Sequence, residues 1–233
     1  MMDYIDYMDV LVKSTNFNQN IPIRQIVYES LRKTIISGII PLGERIIEKE
    51  YSERLNISRT PVREALRMLE MEELVEYIPK VGVVIKRISS EDVIEIFKIR
   101  HNLEVLAATT AMDHITKEQI IKIEELSNLA EQQNKEGKVE EVIELFGEFN
   151  LKMYEASGMK RLNGMISRLN EYLHRFRNIS MADYEKREQA IKEHREILKA
   201  VVEKNKNDID RIIKKHLENS IEVVIEEIRK HEK

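Results

Sequence analysis

Arg59, Arg63 and Arg67 recur at every fourth position, so on a helix they share one face. A guanidinium is a planar fork of N–H donors that can bond O6 and N7 of a guanine together or grip a phosphate. The stretch opens Ser58-Arg59-Thr60-Pro61-Val62-Arg63-Glu64-Ala65-Leu66. Ser58 and Thr60 carry hydroxyls short enough to cap a helix or to bond a backbone phosphate. Pro61 is tolerated in a first turn, where its missing N–H would have no intrahelical acceptor. The remaining first-turn amides can face an anion. The other outcome for such a stripe is a solvated surface whose arginines pair with Glu64, Glu70 or nearby acids.

The elements that would carry this stripe decide between the two. Ile23, Ile26, Val27, Leu31, Ile35 and Ile36 recur at three- and four-residue spacing and predict a helix over 22–37, stopped by Gly38. Pro41 and Gly43 mark a turn, residues 45–47 a short strand, and residues 48–55 a second helix. The third helix, over 58–73, places Val62, Ala65, Leu66 and Leu69 on an apolar stripe beside the arginines. Residues 74–78 and 83–87 have strand composition and are joined by Pro79-Lys80-Val81-Gly82, a hairpin with a basic tip. Three short helices followed by a hairpin form a winged helix-turn-helix, which presents its third helix to the major groove.

Charge is distributed in keeping with that reading. The chain of 233 residues has a formal charge of −4, yet residues 22–88 hold 12 Lys and Arg against 10 Asp and Glu, while both flanking segments are net acidic. Gly (7) and Pro (4) are scarce, so the bulk should be helical. Cysteine is absent, which excludes disulfides and thiol chemistry and fits a reducing cytoplasm. Residues 1–21 mix Asp3, Asp6 and Asp9 with aromatic and apolar residues. They do not resemble a signal peptide and are read as an N-terminal extension, either a flexible arm or a dimer contact. No run is long and apolar enough to span a membrane.

From 89 onward the pattern is helical throughout. Ser89 with Asp92, and Thr116 with Gln119, are capping boxes. Further helices are expected over 139–157, 160–178, 183–205 and 208–233, so residues 89–233 should form an all-α antiparallel bundle of about six helices. The fold class expected for the whole chain is mainly α, a winged helix-turn-helix over 22–88 followed by that bundle.

The run Ser58 to Leu66, together with Ile36-Ser37-Gly38, Pro41-Leu42-Gly43, Leu74-Val75 and Gly82, resembles the GntR regulators, specifically the FadR-like subfamily with a C-terminal ligand-binding FCD domain. The resemblance implies DNA contacts from Lys49, Arg59, Thr60 and Arg63, with Ser58 beside them, and from the wing at Gly82. Lys49 stands where many members have Arg, and offers a point charge rather than a fork. In the bundle, Arg100 and Glu104 fall where the family has Arg-x-x-Leu-Glu, and the resemblance turns Arg100 toward an effector. Arg suits a carboxylate, and an intrahelical pair with Glu104 is the alternative and compatible reading.

Many members hold a divalent metal with one Asp and three His. Here Phe146 and Asn150 stand at the first two of those positions, and His194 and His216 at the others. Two imidazoles with no anionic partner bind a dication weakly. The expectation is therefore no cofactor, and a cavity in which Arg100, Asn150, His194 and His216 bond a small organic acid directly. The resulting function is a homodimeric, cytoplasmic regulator, with repression its expected mode, that reads a palindromic double-stranded operator and has no membrane partner. The alternative is a metal-dependent enzyme or metal-sensing regulator built on His194 and His216. It lacks a carboxylate ligand and an activated nucleophile, so the chain is not expected to be an enzyme.

Overall fold

The computed structural model describes residues 7–173, 176 and 180–231. The chain divides into two compact units, Met1–Ile88 and Ser89–Lys233.

The first unit holds α1 (Tyr7–Ser14), α2 (Ile23–Ile36), β1 (Arg45–Ile46), α3 (Glu48–Arg54), α4 (Arg59–Met71), β2 (Val75–Ile78) and β3 (Gly82–Ile85). The stripe foreseen on α4 is buried as Val62, Ala65, Leu66 and Leu69, and α4 packs on α2, whose Ile26, Val27, Leu31 and Ile35 are buried as well. Burying side chains of this size stabilises by about 1.5–3 kcal/mol each. The strands form a three-stranded antiparallel sheet in the order β1-β3-β2, with Arg45 opposite Val84 and Ile78 opposite Gly82. Gly82 begins β3 at φ 108°, a conformation that strains any residue with a Cβ, and Lys80 precedes it at φ 68°. The wing therefore turns on one glycine and one strained lysine.

Part of the stretch read as an N-terminal extension is built into this unit. Residues 7–14 form α1, which packs on α2 and α3 with Leu11 fully buried. Tyr7 donates to Glu44 at 2.8 Å, and Arg54 pairs with Asp9. The acids that look unlike a signal peptide thus include one that anchors the helix, and the apolar residues between them supply its buried face.

The second unit comprises α5 (Ser90–His114), α6 (Lys117–Lys135), α7 (Val139–Glu155), α8 (Lys160–Tyr172), α9 (Tyr184–Val202) and α10 (Ile209–His231) among the described residues. Both expected capping boxes form, at Ser89 with Asp92 and at Thr116 with Gln119. Asp183 caps α9 by accepting the amides of Glu185 and Lys186. α9 ends before the expected 205 because Lys204 takes a left-handed conformation, φ 54°. The helix expected over 160–178 is seen to Tyr172, and the remainder of that stretch lies largely outside the described residues. Packing of α5 on α10, α6 on α7 and α9, and α9 on α10 brings one face of each of α5, α7, α9 and α10 toward a common interior.

Candidate functional site

In the first unit, most of the residues expected to contact DNA lie on α3 and α4. Arg59, Thr60 and Arg63 are exposed on α4, and Lys49 is exposed on α3, its Nζ 3.8 Å from Glu53. Ser58 occupies the N-cap with an extended backbone, but its hydroxyl accepts no first-turn amide. The expected cap is thus positional only. The first-turn amides of α4 are therefore not capped by the Ser58 side chain.

Arg63 does not pair with an acid on its own helix. Its Nε donates to Glu48 Oε1 at 3.0 Å and Oε2 at 3.1 Å, and its Nη2 donates to Oε2 at 2.8 Å. Glu64 meets Arg24 of α2 instead, at 3.4 Å. Glu48 was not foreseen as a functional residue. Its carboxyl is held below the usual range by the hydrogen bonds from Arg63, against the opposing pull of burial, with further help from the charges of Arg59 and Arg67.

The second unit brings together every side chain expected to meet an effector. Arg100 from α5, Asn150 from α7, His194 from α9 and His216 from α10 line one cavity of about 70 Å³, with Phe146 on its wall. Arg100 lines this cavity and also makes the intrahelical pair, its Nε and Nη2 donating to Glu104 Oε1 at 3.0 and 2.8 Å. Arg100 is 8 % and Glu104 6 % exposed, so the pair is buried. The guanidinium also lies over the Phe97 ring, 5.2 Å from its centroid. Burial works against the arginine's charge, and the fields of Glu104 and Tyr154, with the hydrogen bonds to both, together more than offset it.

His194 is buried between two phenylalanines. Phe149 stacks on it with ring centroids 4.2 Å apart, and Phe146 meets it edge-on at 4.9 Å. His216 lies 4.9 Å away, its Nδ1 2.9 Å from Glu193 Oε2. Burial pushes the Glu193 carboxyl up, but His216, together with Gln189 and Asn219, outweighs it and holds the group below its ordinary range.

Against the expectation of no anionic partner, His216 has one, since Glu193, which adjoins His194 in sequence, lies 2.9 Å from its Nδ1. Phe149, three residues beyond Phe146 on the same face, stacks on His194 without lining the cavity.

The metal set nevertheless does not fit. Hydrocarbon from Phe146 occupies the place of a carboxylate against His194, and Asn150 offers a neutral amide. Glu193 engages Nδ1 of His216, the position of a supporting carboxylate behind a ligand. Among the described residues no group of three or more His, Cys, Asp or Glu is placed to hold a metal ion, and the metal-enzyme alternative has no support. No helix of the described residues is long and apolar enough to cross a membrane.

Comparison with known proteins agrees with both units. The model for bacterial regulatory proteins of the gntR family matches residues 23–85, and the FCD domain model matches residues 95–219. The chain is 30% identical to the HTH-type transcriptional regulator YdhC of Bacillus subtilis over 84% of this chain and 88% of that protein. It is 28% identical to the HTH-type transcriptional repressor RspR of Escherichia coli K12 over 90% of this chain and 92% of that protein. The solved structure of E. coli McbR/YncC superposes with a TM-score of 0.70 at 23% identity, covering 89% of this chain and 99% of that one, which shows a shared fold.

Proposed function

This chain belongs to the gntR family of bacterial regulatory proteins and carries an FCD domain, so it is a DNA-binding transcription regulator rather than an enzyme, and on that premise we propose what it reads and what controls it. Residues 22–88 bind a palindromic operator as part of a homodimer, and residues 89–233 dimerise and hold the effector. One recognition helix covers too few base pairs for useful specificity, and a symmetric dimer doubles them. Binding to chromosomal DNA implies a cytoplasmic protein. We assign it to the FadR-like subfamily on the resemblance of its motifs, and to repression, the latter supported by its similarity to a protein named as a repressor.

Arg59 and Arg63 read bases, Thr60 and Ser58 meet phosphates at the open N-terminus of α4, Lys49 adds a phosphate charge, and Gly82 lets the wing approach the backbone. In the second unit the effector is a small organic acid. The observation that carries this reading is the convergence of Arg100, Asn150, His194 and His216 on one cavity. A cavity of about 70 Å³ favours a molecule of few heavy atoms. Glu104 already neutralises much of Arg100, so the acid must also draw on Asn150 and the imidazoles. Regulation follows if one arrangement of the dimer binds the acid better than the other.

Calorimetry with acetate, pyruvate and succinate tests this against the wild type, Asn150→Ala and His194→Ala, alongside operator affinity with and without each acid. At least one acid should bind the wild type, bind both variants at least about tenfold more weakly, given roughly 1.5–3 kcal/mol for a hydrogen bond to a charged group, and change operator affinity. Acid binding indifferent to both substitutions would remove the cavity from the account.

A further inference from the structure

We propose that Glu48 is a positioning residue for DNA reading, which holds the Arg63 guanidinium side-on so that its outer edge is already aligned for a base. The inference rests on the recognition-helix assignment of Arg63.

A guanidinium has two edges that can each make a pair of parallel hydrogen bonds, the Nε–Nη2 edge and the Nη1–Nη2 edge. Glu48 takes the first of these, with contacts of 2.8 to 3.1 Å to Nε and Nη2. The planar geometry then turns the Nη1–Nη2 edge away from the carboxylate. That edge has the spacing needed for O6 and N7 of guanine. Glu48 is the first residue of α3, where the helix dipole favours a negative charge, and Arg63 lies one turn into α4. Both backbones are fixed by the packing of α3 on α4, with Tyr51 and Val62 buried between the elements of this unit. Two rigid helices therefore set the position of an otherwise flexible side chain.

Stability does not account for the pair. Glu48 is 29 % and Arg63 57 % exposed at the side chain, and exposed pairs contribute little to folding. A carboxylate also lowers the attraction of this surface for DNA, so a solvated surface pair would be a poor use of the position on a nucleic-acid-binding face. Its effect on Arg63 is of another kind. An unrestrained arginine must lose rotamer freedom when it meets a base, whereas one already held has little left to lose. The negative charge further keeps Arg63 from settling on a phosphate, which would bind every sequence alike. The depressed Glu48 carboxyl, held chiefly by the Arg63 hydrogen bonds, keeps the arrangement charged through the neutral range.

The test is selection of duplexes from a random library by the full-length wild type, Glu48→Gln, Arg63→Ala and the double variant, followed by affinity for the selected operator and for scrambled DNA. Glu48→Gln should lower the ratio of operator to scrambled affinity about tenfold, the scale of ordering one long side chain. It should relax the same base position as Arg63→Ala, and steepen the salt dependence by about one unit as Arg63 takes a phosphate. In the Arg63→Ala background it should leave base preference unchanged. If Arg63→Ala relaxes a base position and Glu48→Gln keeps the wild-type consensus, or tightens operator binding without relaxing it, the positioning role is wrong. If Arg63→Ala itself leaves the consensus intact, the recognition-helix reading fails first.

Discussion

Replacing Arg100 by Ala removes one partner of a buried ion pair and leaves Glu104, 6 % exposed, without its guanidinium. A buried charge stripped of its partner costs about 3–5 kcal/mol, far above the ~0–1 kcal/mol of a solvated pair. Tyr154, whose hydroxyl burial holds well above its ordinary range, lies in the same field of Glu104 and Arg100 and offers no compensating cation. For a bundle of this size each kcal/mol moves the thermal midpoint by roughly 2–4 °C, so the expected drop is roughly 6–20 °C. Scanning calorimetry and urea unfolding of the full chain measure it, the latter through a shifted midpoint at constant slope. Glu104→Gln should destabilise by a similar mechanism. The double replacement Arg100→Leu with Glu104→Leu should recover most of the loss, because apolar residues of similar volume can substitute for a buried pair. A loss below about 1 kcal/mol for Arg100→Ala would show the pair to behave as if solvated and would refute the reasoning. The same result bears on effector studies, since lost acid binding in this variant counts only where the fold persists.

Other outcomes are expected from the same contacts. Glu131 is lowered to about 2, first by its hydrogen bond from Lys135 and then by Arg195 of α9. Its contribution is complete above the ordinary value of 4.5 and is lost as pH falls toward 2. Glu131→Gln should therefore flatten the acid limb of a thermal-midpoint profile, and high salt should shrink the difference because the group is exposed. Phe146→Asp with Asn150→His should confer zinc binding visible by elemental analysis after dialysis, and equal metal content in the wild type would contradict the description of the cavity. Gly43→Ala should destabilise by about 1–2 kcal/mol, since φ is +79° and a Cβ would lie 2.7 Å from Arg87 Nη2. A neutral result in urea unfolding would show that the Arg87 side chain moves aside and that the backbone relaxes.

Much of this architecture is written locally. The 3.6-residue stripes of α2 and α4, the two capping boxes and the Pro-Lys-Val-Gly turn each specify an element from neighbours in sequence, and each appears where expected. Four side chains of the cavity are also legible, because their register on α5, α7, α9 and α10 matches a known pattern. What escapes the sequence is contact between elements. Glu48 and Arg63 are 15 residues apart, and Glu193 and His216 are 23 apart. Nothing in either local pattern announces that they meet. α1 escapes for a related reason, since eight residues make too short a helix to be stable alone and it exists through burial of Leu11 against α2 and α3.

The central claim is that α4 reads DNA through its exposed arginines, and fluorescence anisotropy on the selected operator tests it most directly. Arg59→Ala and Arg63→Ala should each weaken operator binding by about 1–3 kcal/mol while circular dichroism and sedimentation remain those of the wild type, because both side chains lie beside the buried stripe of Val62, Leu66 and Leu69 rather than in it. Full operator affinity in both variants would contradict the account.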